Sequence, residues 1–406
     1  MVDQSAPAAN TRRRSVGASF SGTNLERAGD HNQRVTLQAI RARGPITRVE
    51  LAEITGLTPP AIANITKRLM DMGLVLEAGR LHGGRGQPAM TLIANPEGGF
   101  AIGVHIDRDH ITAALVDFSG QVRARESLEI AFPLPDDVAR FWAGEAGRRL
   151  FAAVPAPDRL LGIGVALPDD LGKVVLPHRP DSFDAWNNVD PASLFARAGG
   201  PPVFVENDAA AAALGELQYG HGLRKPSFFY VLIAAGLGGG LIIEGEYFRG
   251  ADGRSGELGF LPMRTGSNGA SLQSVVSLSA LYAVVEAGGF SVVDPTGLLE
   301  LPAEGQALIG EWVQRAAEAL VDPVVNISCL INPEAVYLGG RLPARIVDEL
   351  ATALNTRLAA LTGMPAIARA RRAATSADGP AIGAAILPII DQLLPSRATL
   401  RKTASV

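Results

Sequence analysis

The chain has 406 residues, 47% hydrophobic and 19% charged, with a formal charge of −4, which suits a globular protein of two or three domains. No run of eighteen apolar residues is present to span a membrane. The single cysteine, Cys329, excludes an internal disulfide and any multi-cysteine metal site.

Arg12, Arg13 and Arg14 resemble the start of an export signal, but the following SVGASFSGTN has no apolar core, so a cytoplasmic location is expected. The charge is uneven. Residues 1–95 carry 12 Lys and Arg against 7 Asp and Glu, about +5, which leaves about −9 for the rest. A small basic front on an acidic body is the electrostatic footprint of a nucleic-acid reader joined to something else.

Residues 1–30 are rich in Ser, Ala, Gly and Asn without an apolar period and predict a disordered arm. Residues 31–95 are patterned. NQRVTLQAIRARG sets Val35, Leu37 and Ile40 in a helix that stops at Gly44. TRVELAEITGL pairs Thr47 with Glu50 three residues on, the reciprocal capping pattern, and ends at Gly56. TPPAIANITKRLMDMG offers Thr58 as N-cap and Pro59 in the first turn, where a missing N–H costs nothing. Its period turns Ile62, Ile65, Leu69 and Met72 inward and Ala61, Asn64, Thr66, Lys67 and Arg68 outward.

Three short helices with a tight turn between the second and third describe a helix-turn-helix. Two apolar runs around a Gly-rich loop holding Arg80, Arg85 and Gln87 predict a hairpin wing. A mere packing domain could share this element order. Against it, the amide and basic side chains of the third helix suit a major groove, and a wing arginine suits a minor groove or phosphates. The expected DNA-binding residues are Thr47, Arg48, Thr58, Pro59, Ala61, Asn64, Lys67, Arg68, Arg85 and Gln87.

From residue 96 to about 400, apolar strands, glycine turns and helical stretches alternate as in an α/β protein. Three strands are expected in FAIGVHIDRDHITAALVDFSGQVRARESLEI, and others in LLGIGVAL, PVFVEND, SFFYVLIAAGLGGGLIIEGEYF and PEAVYLGG. Helices are expected over 136–153, 209–217, 272–286, 304–329 and 343–361. Similar strand-rich openings near Ala101 and Ser227 hint at two lobes built alike.

In order, NQRVTLQAIRARGPITRVELAEITGLTPPAIANITKRLMDMGLVLE, GIGVALPDD, VENDAAAAALGE, GLGGGLIIEGEYFRGADGRSGELG and VYLGGRL resemble the ROK family, named for its repressors, open reading frames and kinases. The resemblance covers some 350 residues. It implies a winged helix-turn-helix domain over 31–95, followed over 96–400 by an actin-like, two-lobed domain of the sugar-kinase type, with a sugar site in the cleft.

Family kinases need a base for the sugar hydroxyl and glycine loops that admit the phosphates of ATP. By resemblance Asp208 occupies the base position, with Asn207 beside it as a sugar-binding group. An Asn-Asp pair at a strand-to-helix junction is also a common turn and cap choice. The family's Asp-x-Gly-Gly-Thr loop reads His105, Ile106, Asp107, Arg108, Asp109 here, so bulky and acidic side chains stand in place of glycines. AAGLGGG keeps the second loop's glycines, with Ala235 where the kinases usually place threonine, and a tight turn between buried strands would also demand those glycines.

The family's zinc-holding His and three Cys are replaced by Phe260 and a cysteine-free segment, so no metal is expected. The histidines His31, His82, His110, His178 and His221 read as scattered surface or packing residues. Glu257 takes the place of a sugar-binding glutamate, Gln273 that of a second one, and Phe260 offers a ring face. A closed, ligand-free cleft fits the same residues.

The reading that results is a sugar-responsive transcriptional regulator, a repressor, whose kinase-like body is catalytically inactive and acts as a sensor. It would need no cofactor. Its partners would be double-stranded operator DNA and a sugar or sugar-phosphate effector, and paired half-sites imply a homodimer or homotetramer. The alternative is an ATP-dependent sugar kinase that also binds DNA.

Overall fold

The computed structural model describes residues 25–81, 89–169, 171–173, 179–263, 270–364, 366–375 and 378–396. Helix α1 (Leu25–Arg43) starts inside the stretch expected to be a disordered arm. After β1 (Ile46–Thr47), helix α2 (Arg48–Thr55) is closed by the expected capping box. Glu50 N donates to Thr47 Oγ1 over 3.2 Å, and Thr47 N donates to Glu50 Oε2 over 2.8 Å. Gly56 ends the helix at φ 69°, a left-handed position that favours glycine.

Helix α3 (Pro59–Asp71) begins at Pro59, and Thr58 has the extended backbone of an N-cap, but its side chain makes no capping hydrogen bond. Ile62 and Leu69 are fully buried. Two side chains depart from expectation. Met72 falls on the C-cap, past the helix's buried face, and is exposed. Thr66 is buried because it stands one turn after Ile62. Its hydroxyl donates to Ile62 O (2.8 Å) and accepts from Arg48 Nε (3.0 Å), so its polarity is satisfied inside the head.

Strands β2 (Val75–Leu81) and β3 (Ala89–Ala94) pair antiparallel as a wing, with β1 on the far edge of β3. Arg85 and Gln87 lie outside the described residues.

The body opens with a meander of β4 (Phe100–Ile106), β5 (His110–Asp117) and β6 (Val122–Glu129). Two helices follow, α4 (Pro135–Ala143) and α5 (Glu145–Ala152), where one was expected, because Gly144 leaves helical geometry between them. Strands β7 (Leu160–Leu167) and β8 (Val203–Asn207) complete a sheet of order β6-β5-β4-β7-β8, its last three strands parallel. Helix α6 (Asp208–Tyr219) leaves directly from β8.

The second lobe contains β9 (Phe228–Ile233), β10 (Leu237–Ile243), β11 (Glu246–Tyr247), α7 (Leu278–Ala287), α8 (Ala303–Ile331), β12 (Ala335–Gly340), α9 (Ala344–Ala359) and β13 (Arg369–Arg372). Residues 272–274 form a separate 3₁₀ turn, so α7 starts later than expected. The sheet order, β11-β10-β9-β12-β13, repeats that of the first lobe: a three-stranded meander, then two parallel strands. The two lobes are thus built alike.

Helix α10 (Gly379–Leu393) packs on the first sheet and on α6. Glycines permit this: a Cβ on Gly103 or Gly164 would lie 1.8 Å from an α10 carbonyl oxygen, and one on Gly383 would lie 1.8 Å from Ala211 O.

The head is fastened to the body through α1. Arg34 Nη1 donates to Asp391 O (2.9 Å) and Leu394 O (3.0 Å) at the end of α10. Arg41 Nη1 donates to Gln218 Oε1 (2.9 Å) near the end of α6, and its guanidinium lies 5.1 Å and 5.3 Å from the ring centres of Phe118 and Tyr219. One continuous apolar core runs from Leu37 and Ile62 of the head to Ala212, Tyr230 and Ile386 of the body.

Candidate functional site

The β8–α6 junction is set by the chain's own chemistry. Asn207 caps α6, its Oδ1 accepting from Ala209 N (3.0 Å) and Ala210 N (3.1 Å). Asp208 follows as the first helical residue, buried at 6% exposure, where the helix N-terminus favours negative charge. Its Oδ1 accepts from Ala209 N (2.7 Å). Asn207 thus acts as the cap, while the Asp208 carboxylate lies in the wall of the cleft.

Asn207, Asp208, Glu257, Phe260 and Gln273 all line one cavity of about 60 Å³ between the lobes. Arg108, Arg254 and Asp169 line it too. It adjoins a hollow of about 360 Å³ under the first lobe, lined by Trp186, Asn187, Lys173 and Glu206, and the two share Pro168, Asp169 and Asn207. Glu257 accepts from Arg254 Nε (3.1 Å), and the ring of Phe260 is 60% exposed. Arg249 of the second lobe donates to Glu206 Oε1 of the first over 3.2 Å, a strut across the cleft.

Asp169 is a cleft residue that the sequence reading passed over. The parallel register Leu167↔Asn207 carries it to the mouth of the site. Its carboxyl is pushed up to about 6, by desolvation first and then by the negative charge of Asp208, Glu257 and Glu206, with Arg254 opposing.

The β4–β5 turn faces the β9–β10 turn. Asp107 Oδ1 accepts from Arg108 N (2.8 Å) and Nε (2.9 Å), and its Oδ2 accepts from Ala235 N (3.2 Å) in the other lobe. The Arg108 guanidinium lies so close to Gly236 that a Cβ there would meet both terminal nitrogens at 2.9 Å. Burial alone would raise the Asp107 carboxyl, but the Arg108 guanidinium, by its charge and its hydrogen bond, holds it well below the usual range. The Asp107 charge of this turn is thus neutralised by Arg108, and the pair occupies the gap. The glycines of the β9–β10 segment serve packing: Cβ atoms on Gly238 and Gly240 would lie 2.9 Å and 2.6 Å from the Cβ atoms of Ala209 and Ala213 on α6.

The residues at the family's zinc position do not fit the ion: Phe260 stands for its histidine, and residues 261–277 contain neither Cys nor His. The histidines are less scattered than their spacing suggests. His105 and His110, both buried, meet edge to face with ring centres 4.7 Å apart.

On the head, Asn64, Lys67 and Arg68 are exposed along α3, and Thr58 and Pro59 at its start. Ala61 is half-buried. Thr47 is spent on the capping box, and Arg48 ties α2 to Thr66 and, at 3.8 Å, to Glu77.

Two duplicated lobes around a carboxylate-bearing cleft, with a winged helix docked on one of them, define a regulator-type chain built on a sugar-kinase fold. Residues 101–389 match the ROK family and residues 30–75 the winged helix-turn-helix DNA-binding family. The chain belongs to the ROK family.

The uncharacterized protein y4fQ of Sinorhizobium fredii is 28% identical over 79% of this chain and 80% of its own length. The xylose repressor of Bacillus subtilis is 29% identical over 57% and 60%, and the DNA-binding transcriptional dual regulator NagC of Escherichia coli 27% over 59% and 59%. The chain thus spans about three-fifths of those two regulators. Among solved structures, a ROK-family transcriptional regulator homologous to the E. coli MLC protein superposes with a TM-score of 0.63 at 24% identity, covering 90% of this chain and 98% of that one. A ROK-family glucokinase from Streptomyces griseus, in complex with glucose and AMPPNP, gives 0.54 at 21%, covering 71% and 99%. Both share the fold. Among the described residues no helix is long and apolar enough to cross a membrane.

Proposed function

We propose that this chain is a sugar-responsive transcriptional repressor in which the cleft senses a sugar and the winged helix reads an operator. The observation that carries this reading is the path of α6: it begins at Asp208 in the cleft and ends at Gln218 and Tyr219 against Arg41 of the head. A ligand hydroxyl bound at Asp208 acts on the first turn of a helix whose last turn holds the DNA-binding domain. Asn207, Glu257, Gln273, Phe260 and Asp169 are the further ligand contacts, and Asn64, Lys67 and Arg68 the main DNA contacts. Relatives named as xylose repressors and an N-acetylglucosamine repressor support a sugar as effector.

The Asp107–Arg108 pair in the gap supports a body that binds without transferring phosphate, since a base acts only when a phosphoryl donor is held in line. A thermal-shift screen that includes xylose, N-acetylglucosamine and their phosphates, followed by operator binding with each hit, tests the reading. Binding of sugar and operator must be reciprocal, each altering the other's affinity by the same factor. Equal sugar affinity with and without operator rejects the coupling. Retention of Asp208 favours the second reading, a DNA-binding sugar kinase, and ATP consumption that requires both a sugar and Asp208 would establish it. Pairing of chains as a dimer or tetramer follows from the need to span two half-sites.

A further inference from the structure

Behind the cleft face of Asp208 lies a row of polar side chains that links it to Arg341. Arg341 Nη1 donates to Asp109 Oδ2 over 2.9 Å, and Asp109 Oδ1 lies 2.6 Å from His110 Nδ1. His110 Nε2 lies 3.1 Å from His105 Nδ1, and His105 Nε2 lies 3.9 Å from Asp208 Oδ2. The hydrogen bonds fix the tautomers from the charged end inward. A carboxylate paired with an arginine accepts, so His110 donates from Nδ1. A neutral imidazole has one N–H, so His110 Nε2 accepts, and His105 donates from Nδ1.

With the His105 ring neutral, its Nε2 presents a bare lone pair. The ring is 2% exposed, and Nε2 makes no hydrogen bond among the described residues. It faces a carboxylate oxygen, another acceptor. Asp107 completes the enclosure: His105, Asp107 and Asp208 are all buried, and each offers one donor atom within 4.8 Å of the other two. The backbone and side chain of Arg108 bond Asp107 Oδ1, whereas among the described residues Asp107 Oδ2 accepts only from the Ala235 amide, which leaves it a lone pair. Buried acceptors turned on one another with no donor between them are costly unless a positive centre sits among them.

We propose that His105, Asp107 and Asp208 bind a divalent transition-metal cation of the zinc or manganese type. One imidazole nitrogen with two carboxylate oxygens suits such ions. The row behind it supplies what a metal-bound histidine ordinarily has, a partner for its other N–H, here His110 backed by Asp109. The site is distinct from the family's zinc position, which this sequence does not keep. An ion here ties the β4–β5 turn to the first turn of α6 and so stiffens the corner that bears Asp208.

The test uses the full chain, stripped with a chelator and then titrated separately with Zn²⁺, Mn²⁺ and Mg²⁺. Retained metal is counted by mass spectrometry, and Co²⁺ is added as a spectroscopic probe. The expected result is one equivalent of Zn²⁺ or Mn²⁺ per chain, a raised melting temperature, and a visible Co²⁺ spectrum that His105→Asn abolishes. His110→Gln keeps all three ligands but frees the His105 ring, and should weaken metal affinity 10–100-fold. If His105→Asn does not fold, the His110→Gln shift and the wild-type stoichiometry decide. No metal retained, retention of Mg²⁺ alone, or wild-type affinity in whichever of the two variants folds would overturn the proposal.

Discussion

Arg41 of the DNA-binding head donates a hydrogen bond to Gln218, 2.9 Å away, on the same helix whose first residue is Asp208. Ten residues separate Asp208 from Gln218, about 15 Å at the helical rise of 1.5 Å per residue. Over that length α6 is buried along nearly every residue. A displacement at one end therefore reaches the other with little loss.

Arg41→Ala should remove this joint. The lost hydrogen bond to a charged donor and the two ring contacts predict a destabilisation of about 2–3 kcal/mol. Denaturant melts measure that loss. In operator-binding assays the ratio of affinities with and without sugar should fall toward one; an unchanged ratio would sink the role of α6.

Asp208→Asn is nearly isosteric and removes the carboxylate charge. A charged hydrogen bond to a sugar hydroxyl is worth about 1.5–3 kcal/mol, so sugar affinity should drop about 10–100-fold. Calorimetry with a sugar found by screening reads this directly, and operator binding without sugar should stay near wild type.

The Asp107–Arg108 pair predicts strong non-additivity. Arg108→Gly leaves a fully buried carboxylate without its guanidinium and should cost about 3–5 kcal/mol. Replacing both residues with glycine, as in the family's kinases, removes the stranded charge, so the double variant should lose less than the two single changes together. Chemical denaturation of all four proteins provides the cycle. Additive losses would mean that the pair does not act as a unit.

Asp169 predicts a pH dependence of definite sign. Its folded value near 6 exceeds that of an unfolded aspartate, so the folded chain holds a proton that the unfolded chain gives up. Its contribution to stability is greatest at low pH and is lost as pH rises from about 4 through about 6. Asp169→Asn should therefore gain on wild type in melting temperature across that window. A hydroxyl donating to the ionised form should bind more tightly as pH rises past 6, which sugar titrations at pH 5 and 7.5 would show.

On the head, Lys67→Ala should weaken operator and non-specific DNA alike and lower the slope of log affinity against log salt by about 0.9. Asn64→Ala should instead relax preference at one base position, with little change in that slope. Selection of binding sites from random DNA separates the two outcomes.

Much of the fold was legible because its signals are local. The Thr47–Glu50 box and the stops at Gly44 and Gly56 announce helix ends within a few residues, and the five motif-derived cleft residues meet at one cavity. Helix α10 escaped notice because ten of its fifteen residues are buried, which leaves no polar face to set a period, and Pro388 reads as a breaker. Strand β13, RARR, looks like surface, yet it pairs at an edge beside β12. Thr66 and Met72 were misassigned by polarity where helical position decided. Asp169 and the His105–His110 contact depend on neighbours brought together by sheet pairing, for which linear spacing gives only faint signs.

Arg34 holds main-chain carbonyls of Asp391 and Leu394, so α10 serves as a foundation for the domain that reads DNA. In a genetic screen, lesions near residues 391–394 should surface as loss of repression although they touch neither operator nor effector. A mutational map of this regulator would thus show a third cluster of loss-of-function alleles, remote in sequence from the other two and explained by carpentry alone.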